Sequence, residues 1–224
     1  MSASEPKSDW KRLFRIAHSF IQHVNSEQPI IDHWSFGGGT AMMLQIGHRE
    51  SHDIDIFLSD PQLLGFLDPQ KANFKFEIEP TDFSSDGARF SKIAFEGIGE
   101  IDFIVAGPMT SMPTTPAFVE GHNVLLDTVT EIVVKKVHYR GASIKPRDIF
   151  DIAAAAEQNA NSIITELSTY ESDVAATLAT LDRLKPTFVN AAIADLMIKD
   201  EYLALAETSL DRTKEVLRSV KSAK

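Results

Sequence analysis

Two aspartates one residue apart are set in a short apolar run, Asp53–Ile54–Asp55–Ile56–Phe57–Leu58, which reads as a β-strand. Side chains alternate faces along a strand, so Asp53 and Asp55 share one face while Ile54 and Ile56 take the other. One side of this strand can join a core; the other must keep its charges in contact with something that offsets them. Two carboxylates at this spacing repel each other unless solvent or a cation intervenes. The plain reading is a solvated strand face. The sharper one is a hard divalent cation such as Mg²⁺, held by one or two carboxylates together with phosphate oxygens of a substrate.

Two neighbours favour the sharper reading. Asp102 lies within Ile101–Asp102–Phe103–Ile104–Val105, a second strand too apolar to carry an unpaired carboxylate comfortably. A third carboxylate there would complete a two-metal site with Asp53 and Asp55. Glu100 shares a face with Asp102 but sits beside a turn, where solvation is expected. Upstream, Gly37–Gly38–Gly39–Thr40 joins a short strand at His33–Phe36 to a helix capped by Thr40. Backbone N–H groups of Gly38, Gly39 and Thr40 at a helix N-terminus, with no Cβ on the glycines, can receive phosphate oxygens. Strand, glycine turn, helix and then an Asp-x-Asp strand form a far more specific pattern than either half alone.

The rest of the chain divides by periodicity. A helix is predicted over Ser8–Val24, from apolar residues at helical spacing. Further strands are predicted at Phe74–Glu79, Arg89–Phe95 and Glu100–Val105, the last two joined by a hairpin turn at Gly97–Gly99. Pro108–Pro116, with three prolines, reads as a loop. Beyond Leu126 only helices are expected: Thr128–Tyr139, Arg147–Ala156 behind an N1 proline at Pro146, Ser162–Ser168, Ser172–Leu184, Pro186–Met197 and Glu201–Val220. This is an α+β chain, with a mixed portion over residues 1–126 and a helical region over residues 127–224 ending in a bundle.

Composition removes several alternatives. The 224 residues contain no cysteine, which excludes disulfides, thiolate chemistry and Cys-ligated metals. No apolar run reaches the roughly 18 residues of a membrane span, and the polar N-terminal stretch lacks a signal peptide's apolar core, so the expected location is the cytoplasm. A net charge of −10 disfavours broad, non-specific binding to nucleic acid.

Gly38–Gly39–Thr40, Asp53–Ile54–Asp55 and Asp102 together resemble the minimal nucleotidyltransferase signature of the polymerase-β superfamily. The fuller string FGGGTAMMLQIGHRESHDIDIF is similar to the AbiEii/AbiGii family of nucleotidyltransferase toxins. That family's second block is matched by Glu131–Arg140, containing Lys135 and Lys136, and by Arg147–Asp148–Ile149–Phe150–Asp151. One departure is Val137, where leucine is more usual. The likeness spans roughly residues 30 to 155.

The resemblance implies a nucleotidyltransferase fold with a mixed sheet, an NTP substrate and Mg²⁺, with Asp53, Asp55 and Asp102 as metal ligands. It implies that Lys136 and Asp148 belong to the active site. The residues alone also allow a salt bridge that ties two helices together, and Lys135 is the rival lysine. Arg49, Ser51 and Arg147 complete the nucleotide-binding candidates. His48 and His52, spaced i and i+4, would suit zinc on a continuous helix, but Gly47 is expected to end that helix. The acceptor implied is RNA, the 3′ end of tRNA in particular, with growth arrest relieved by a cognate antitoxin. The alternative is AMP transfer to a protein hydroxyl.

Overall fold

The computed structural model describes residues 9–26 and 28–220; the expected helix start at Ser8 lies outside them. The chain forms two compact units. The first comprises residues up to Ala41, Ser51–Pro108 and Thr114–Asp127; the second comprises Met42–Glu50, Met109–Pro113 and the residues from Thr128 onward.

The first unit is built on one mixed sheet. Its strands are β1 (Trp34–Gly37), β2 (Ile54–Leu58), β3 (Asp82–Ser85), β4 (Phe90–Phe95), β5 (Gly99–Val105), β6 (Thr114–Val119) and β7 (His122–Asp127). They lie in the order β3-β4-β5-β2-β1-β7-β6. The β2–β5 and β1–β7 pairs are parallel, and the remaining pairs are antiparallel. Helix α1 (Trp10–Val24) buries Leu13, Phe14, Ile16, Ala17, Phe20 and Ile21. Phe14 packs on Phe36 of β1 and Phe20 on Phe103 of β5, with ring centroids 5.2 and 6.1 Å apart. Each such ring, taken fully out of water, contributes about 1.5–3 kcal/mol. Phe36, Ile56 and Phe103 are register partners, so α1 covers their face. Strand alternation then sends Asp55 and Asp102 to the opposite face.

Helix α2 (Gly38–Ile46) follows β1 without a linker. The second unit carries α3 (Val129–Arg140), α4 (Pro146–Leu167), α5 (Glu171–Leu181), α6 (Pro186–Ala194), α7 (Leu203–Ala206) and α8 (Ser209–Arg218). Thr128 caps α3, its Oγ1 accepting the Glu131 N–H at 3.2 Å. Asp148 closes the first turn of α4, accepting the Lys145 N–H at 3.2 Å, behind Pro146 in the N-terminal turn. The buried run Ala153–Ala156 keeps α4 slim where α3 and α8 pack on it. None of the described helices is long and apolar enough to cross a membrane.

Several expectations are corrected. Phe74–Glu79 is not a strand; Phe74 and Phe76 instead stack around Phe20 at 5.1 and 5.2 Å, so their alternation serves an aromatic cluster. The proline-rich loop ends at Pro113, and β6 begins at Thr114 and includes Pro116. A proline is tolerated there because β6 is the sheet edge, where an N–H can be spared. The β6–β7 hairpin escaped the sequence reading; its turn residues Glu120 and Gly121 both have positive φ, 47° and 89°. Thr40 does not cap α2, which is already under way at Gly38. The helices expected at 147–156 and 162–168 are one continuous α4, packing having overridden the weak helix propensity of its asparagines. Conversely Glu201–Val220 breaks into a 3₁₀ turn at Asp200–Tyr202, then α7 and α8.

Candidate active site

Residues of the first unit come together through strand register. Gly37 of β1 is the partner of Asp55 on β2, Asp55 of Asp102 on β5, and Asp102 of Lys92 on β4. Four adjacent strands therefore present one transverse row on one face: Gly37, Asp55, Asp102, Lys92. Burial and the neighbouring Asp55 charge push the Asp102 carboxyl up to about 6, against the partial relief of Lys92. Lys92 Nζ donates to Asp102 Oδ2 at 3.0 Å and also to Glu100. Asp102 Oδ1 is buried without a hydrogen-bond partner among the described residues.

Glycine is required beside this pair. Gly38 has φ +68°, and a Cβ there would lie 1.8 Å from Asp55 Oδ2. At Gly37 a Cβ would lie 2.5 Å from Oδ2 of Asp127, a fully buried carboxylate at the end of β7. The start of α2 is thus wedged between two carboxylates. Thr40 Oγ1 donates to the Asp53 carbonyl at 2.6 Å, tying the helix start to the mouth of β2. Asp53 precedes β2, and its Oδ1 accepts the Glu100 N–H at 3.1 Å. Among the described residues no three His, Asp or Glu side chains form a ready metal cage. The structure brings Asp55 and Asp102 together and leaves Asp53 on its backbone donor.

That arrangement fits a hard cation. Two like charges sit side by side, one bearing an unsatisfied buried oxygen, and Mg²⁺ commonly takes only one or two protein carboxylates and completes its shell with water and phosphate.

The second unit gathers its charges differently. Asp151 of α4 receives Arg49 through two bonds, Nε to Oδ1 at 2.7 Å and Nη2 to Oδ2 at 2.9 Å. His48 Nε2 donates to Oδ1 at 2.9 Å, and Lys136 Nζ lies 2.9 Å from Oδ2. Lys136 also donates to Asp148 Oδ1 at 2.6 Å, with Arg140 Nη1 at 3.4 Å from the same atom. Burial alone would raise both carboxyls, but Lys136 and the arginines outweigh it; Asp148 is held below the usual range and Asp151 well below. Burial alone would likewise lower Lys136, yet Asp151 and Asp148 raise it. The i, i+4 pair Lys136 and Arg140 does share a face of α3. Lys135 is spent on Glu131 at 3.3 Å, a carboxylate that also accepts the Met109 N–H and the Thr110 hydroxyl. His48 follows the end of α2 and faces Asp151, not His52.

Of the nucleotide-binding candidates, Arg49 and Ser51 are buried and Arg147 is exposed at the first turn of α4. Three participants were missed as site residues: Lys92, Asp127 and Asp151. Lys92 left a signal, a cation set between Phe90 and Ala94 on one face of the Phe90–Phe95 strand. Its pairing with Asp102 needed the β4–β5 register.

Comparisons with known proteins bear on the fold and the family. A solved structure from Helicobacter pylori assigned as a nucleotidyltransferase superposes with a TM-score of 0.52 at 15% identity, over 97% of this chain and 96% of that one. A second, JHP933 from the same organism, gives 0.49 at 14% identity, over 98% and 93%. No curated relative matches the sequence. The fold is that of a nucleotidyltransferase, and nucleotidyl transfer is the chemistry of the class. The model of the nucleotidyl transferase AbiEii toxin, from type IV toxin–antitoxin systems, matches residues 19–219, and the chain belongs to that family.

Proposed function

We propose that this enzyme transfers a nucleotide from an NTP to an RNA acceptor, the 3′ end of tRNA, in a Mg²⁺-dependent reaction that blocks translation in the cytoplasm. A cognate antitoxin would hold it in check. The observation that carries the reading is the Asp55–Asp102 pair, two neighbouring carboxylates with an orphaned buried oxygen, abutting the glycines that open α2.

Asp55 and Asp102 would hold the metal, with Asp53 beside them at the start of the strand. When bound, Mg²⁺ supplies positive charge to the triphosphate and acidifies the attacking hydroxyl. The acceptor oxygen bonds to the α-phosphorus, the α–β phosphoanhydride bond breaks, and pyrophosphate leaves. The hydroxyl proton is released to solvent as the acceptor oxygen attacks. Backbone N–H groups of Gly38, Gly39 and Thr40 would receive phosphate oxygens. Arg147 has an exposed guanidinium suited to phosphate. Lys136 and Asp148 would contribute by holding each other, and Arg49 by holding Asp151 beside them, since the Lys136 side chain is only 8% exposed and its charge is committed to two aspartates.

The test is incubation with Mg²⁺, each α-labelled NTP in turn, and total tRNA. Label on RNA is expected. Label on protein instead would favour AMP transfer to a protein hydroxyl, and no label on RNA with any nucleotide would overturn the RNA reading.

A further inference from the structure

Lys92 is seated on the acidic row, where it bonds to Asp102 and Glu100. On its own face of β4 its neighbours are Phe90 and Ala94, neither of which offers a side-chain acceptor. Its register partner is Asp102, and its ammonium spans Asp102 Oδ2 and Glu100. The bond engages Oδ2 alone. Oδ1 of the same carboxylate remains buried and unbonded, and Asp55 occupies the adjacent register position. Burial would lower the Lys92 pKa, but the two carboxylates raise it and the side chain stays charged.

We propose that Lys92 is a built-in counter-cation for the Asp55–Asp102 pair. It offsets the Asp102 charge, and so the repulsion between Asp102 and Asp55, in the metal-free protein. It fixes Asp102 by one oxygen so that the other stays available to a metal, and its charge weakens the grip on a divalent cation. This inference rests on the metal-binding reading of Asp55 and Asp102 given above. Lys92 acts through Asp102 and is a positioning residue. A lysine that merely braced the β4–β5 hairpin would also stabilise the protein. It would not oppose metal binding, because that opposition comes from like charge at short range.

Mn²⁺ titration of the full chain, followed by the electron paramagnetic resonance of the free ion and by melting temperature, separates these roles. Lys92→Met is expected to melt lower than the wild type without metal, to bind Mn²⁺ about tenfold more tightly, and to gain more on saturation. Lys92→Arg, which keeps the charge, should bind as the wild type does. Lys92→Gln serves the same purpose as the Met variant should that one not fold. Wild-type or weaker Mn²⁺ affinity in both neutral variants would overturn the inference while leaving the metal site intact. Absence of Mn²⁺ binding by the wild type, or undiminished binding by Asp102→Asn, would overturn the metal site itself and the Lys92 role with it.

Discussion

Each unit places two aspartates close together away from bulk water, and the two pairs meet opposite fates. In the first, Asp102 shares one lysine with Glu100, and burial and the neighbouring Asp55 push its carboxyl up to about 6. In the second, Asp148 and Asp151 are met by Lys136, Arg49, Arg140 and His48, and both carboxyls are pulled down. Burial is common to both. What differs is whether the protein supplies enough positive charge of its own. Where it does, the charges are consumed internally and stiffen the helices. Where burial and like charge prevail, as at Asp102, a bound cation would relieve the carboxyl.

The comparison breaks most readily at Asp151. Removing that carboxylate strands Arg49 and Lys136 in a buried setting, a situation that typically costs about 3–5 kcal/mol. Asp151→Asn should therefore lower stability by that order in denaturant titration. Asp102→Asn, which relieves a repulsion, should leave the metal-free protein as stable as the wild type at neutral pH or more so. Equal destabilisation by the two would erase the distinction drawn here.

A smaller effect is expected at Lys136. Arg49 and Arg140 remain on its two aspartates after its loss, so Lys136→Met should cost only about 2 kcal/mol. Steady-state kinetics then sharpen the assignment. A variant that keeps kcat once its folded fraction is allowed for would mark Lys136 as structural, whereas a fall in kcat alone would place its charge in the reaction.

The smallest effect is in pH dependence. Burial and the Asp55 charge hold the folded Asp102 carboxyl up at about 6, against an ordinary carboxylate value of 3.8. The folded state therefore binds the extra proton between those values, and this group's contribution to stability declines as pH rises from about 4 to 6. Asp148 and Asp151 have depressed folded values, so their contribution is present above about 4 and is lost as pH falls through the lower folded range. In metal-free protein the stability gap between Asp102→Asn and the wild type should grow from pH 4 to 6, by about 1–2 kcal/mol. A flat gap would show that neither burial nor Asp55 disfavours the Asp102 charge.

The contrast also explains what could be read from the sequence. Asp55 announced itself because a charge in an apolar strand is costly without a purpose, and the glycines because a strand leading straight into a helix needs them. The helical second half followed from periodicity, and the mixed sheet from the family resemblance. Strand order did not: nothing local to Lys92 or Asp127 says that one will stand opposite Asp102 and the other against Gly37. Those neighbours come from pairings between distant segments. Lys136 and Asp148 were legible as a pair, twelve residues apart on successive helices. Their function was not, because a salt bridge and a phosphate-binding site draw on the same residue types, and the additional hold of Arg49 and His48 on Asp151 comes from a hundred residues upstream.

The central claim is that the Asp55–Asp102 pair on the sheet, and not the charge cluster among the helices, performs the transfer. Asp55→Asn tests it most directly, assayed with Mg²⁺, α-labelled NTPs and tRNA beside a melting curve of the same preparation. The account predicts a loss of about a thousandfold or more in label transfer, with a melting temperature at or above that of the wild type. Transfer at the wild-type rate by a folded Asp55→Asn protein would contradict it.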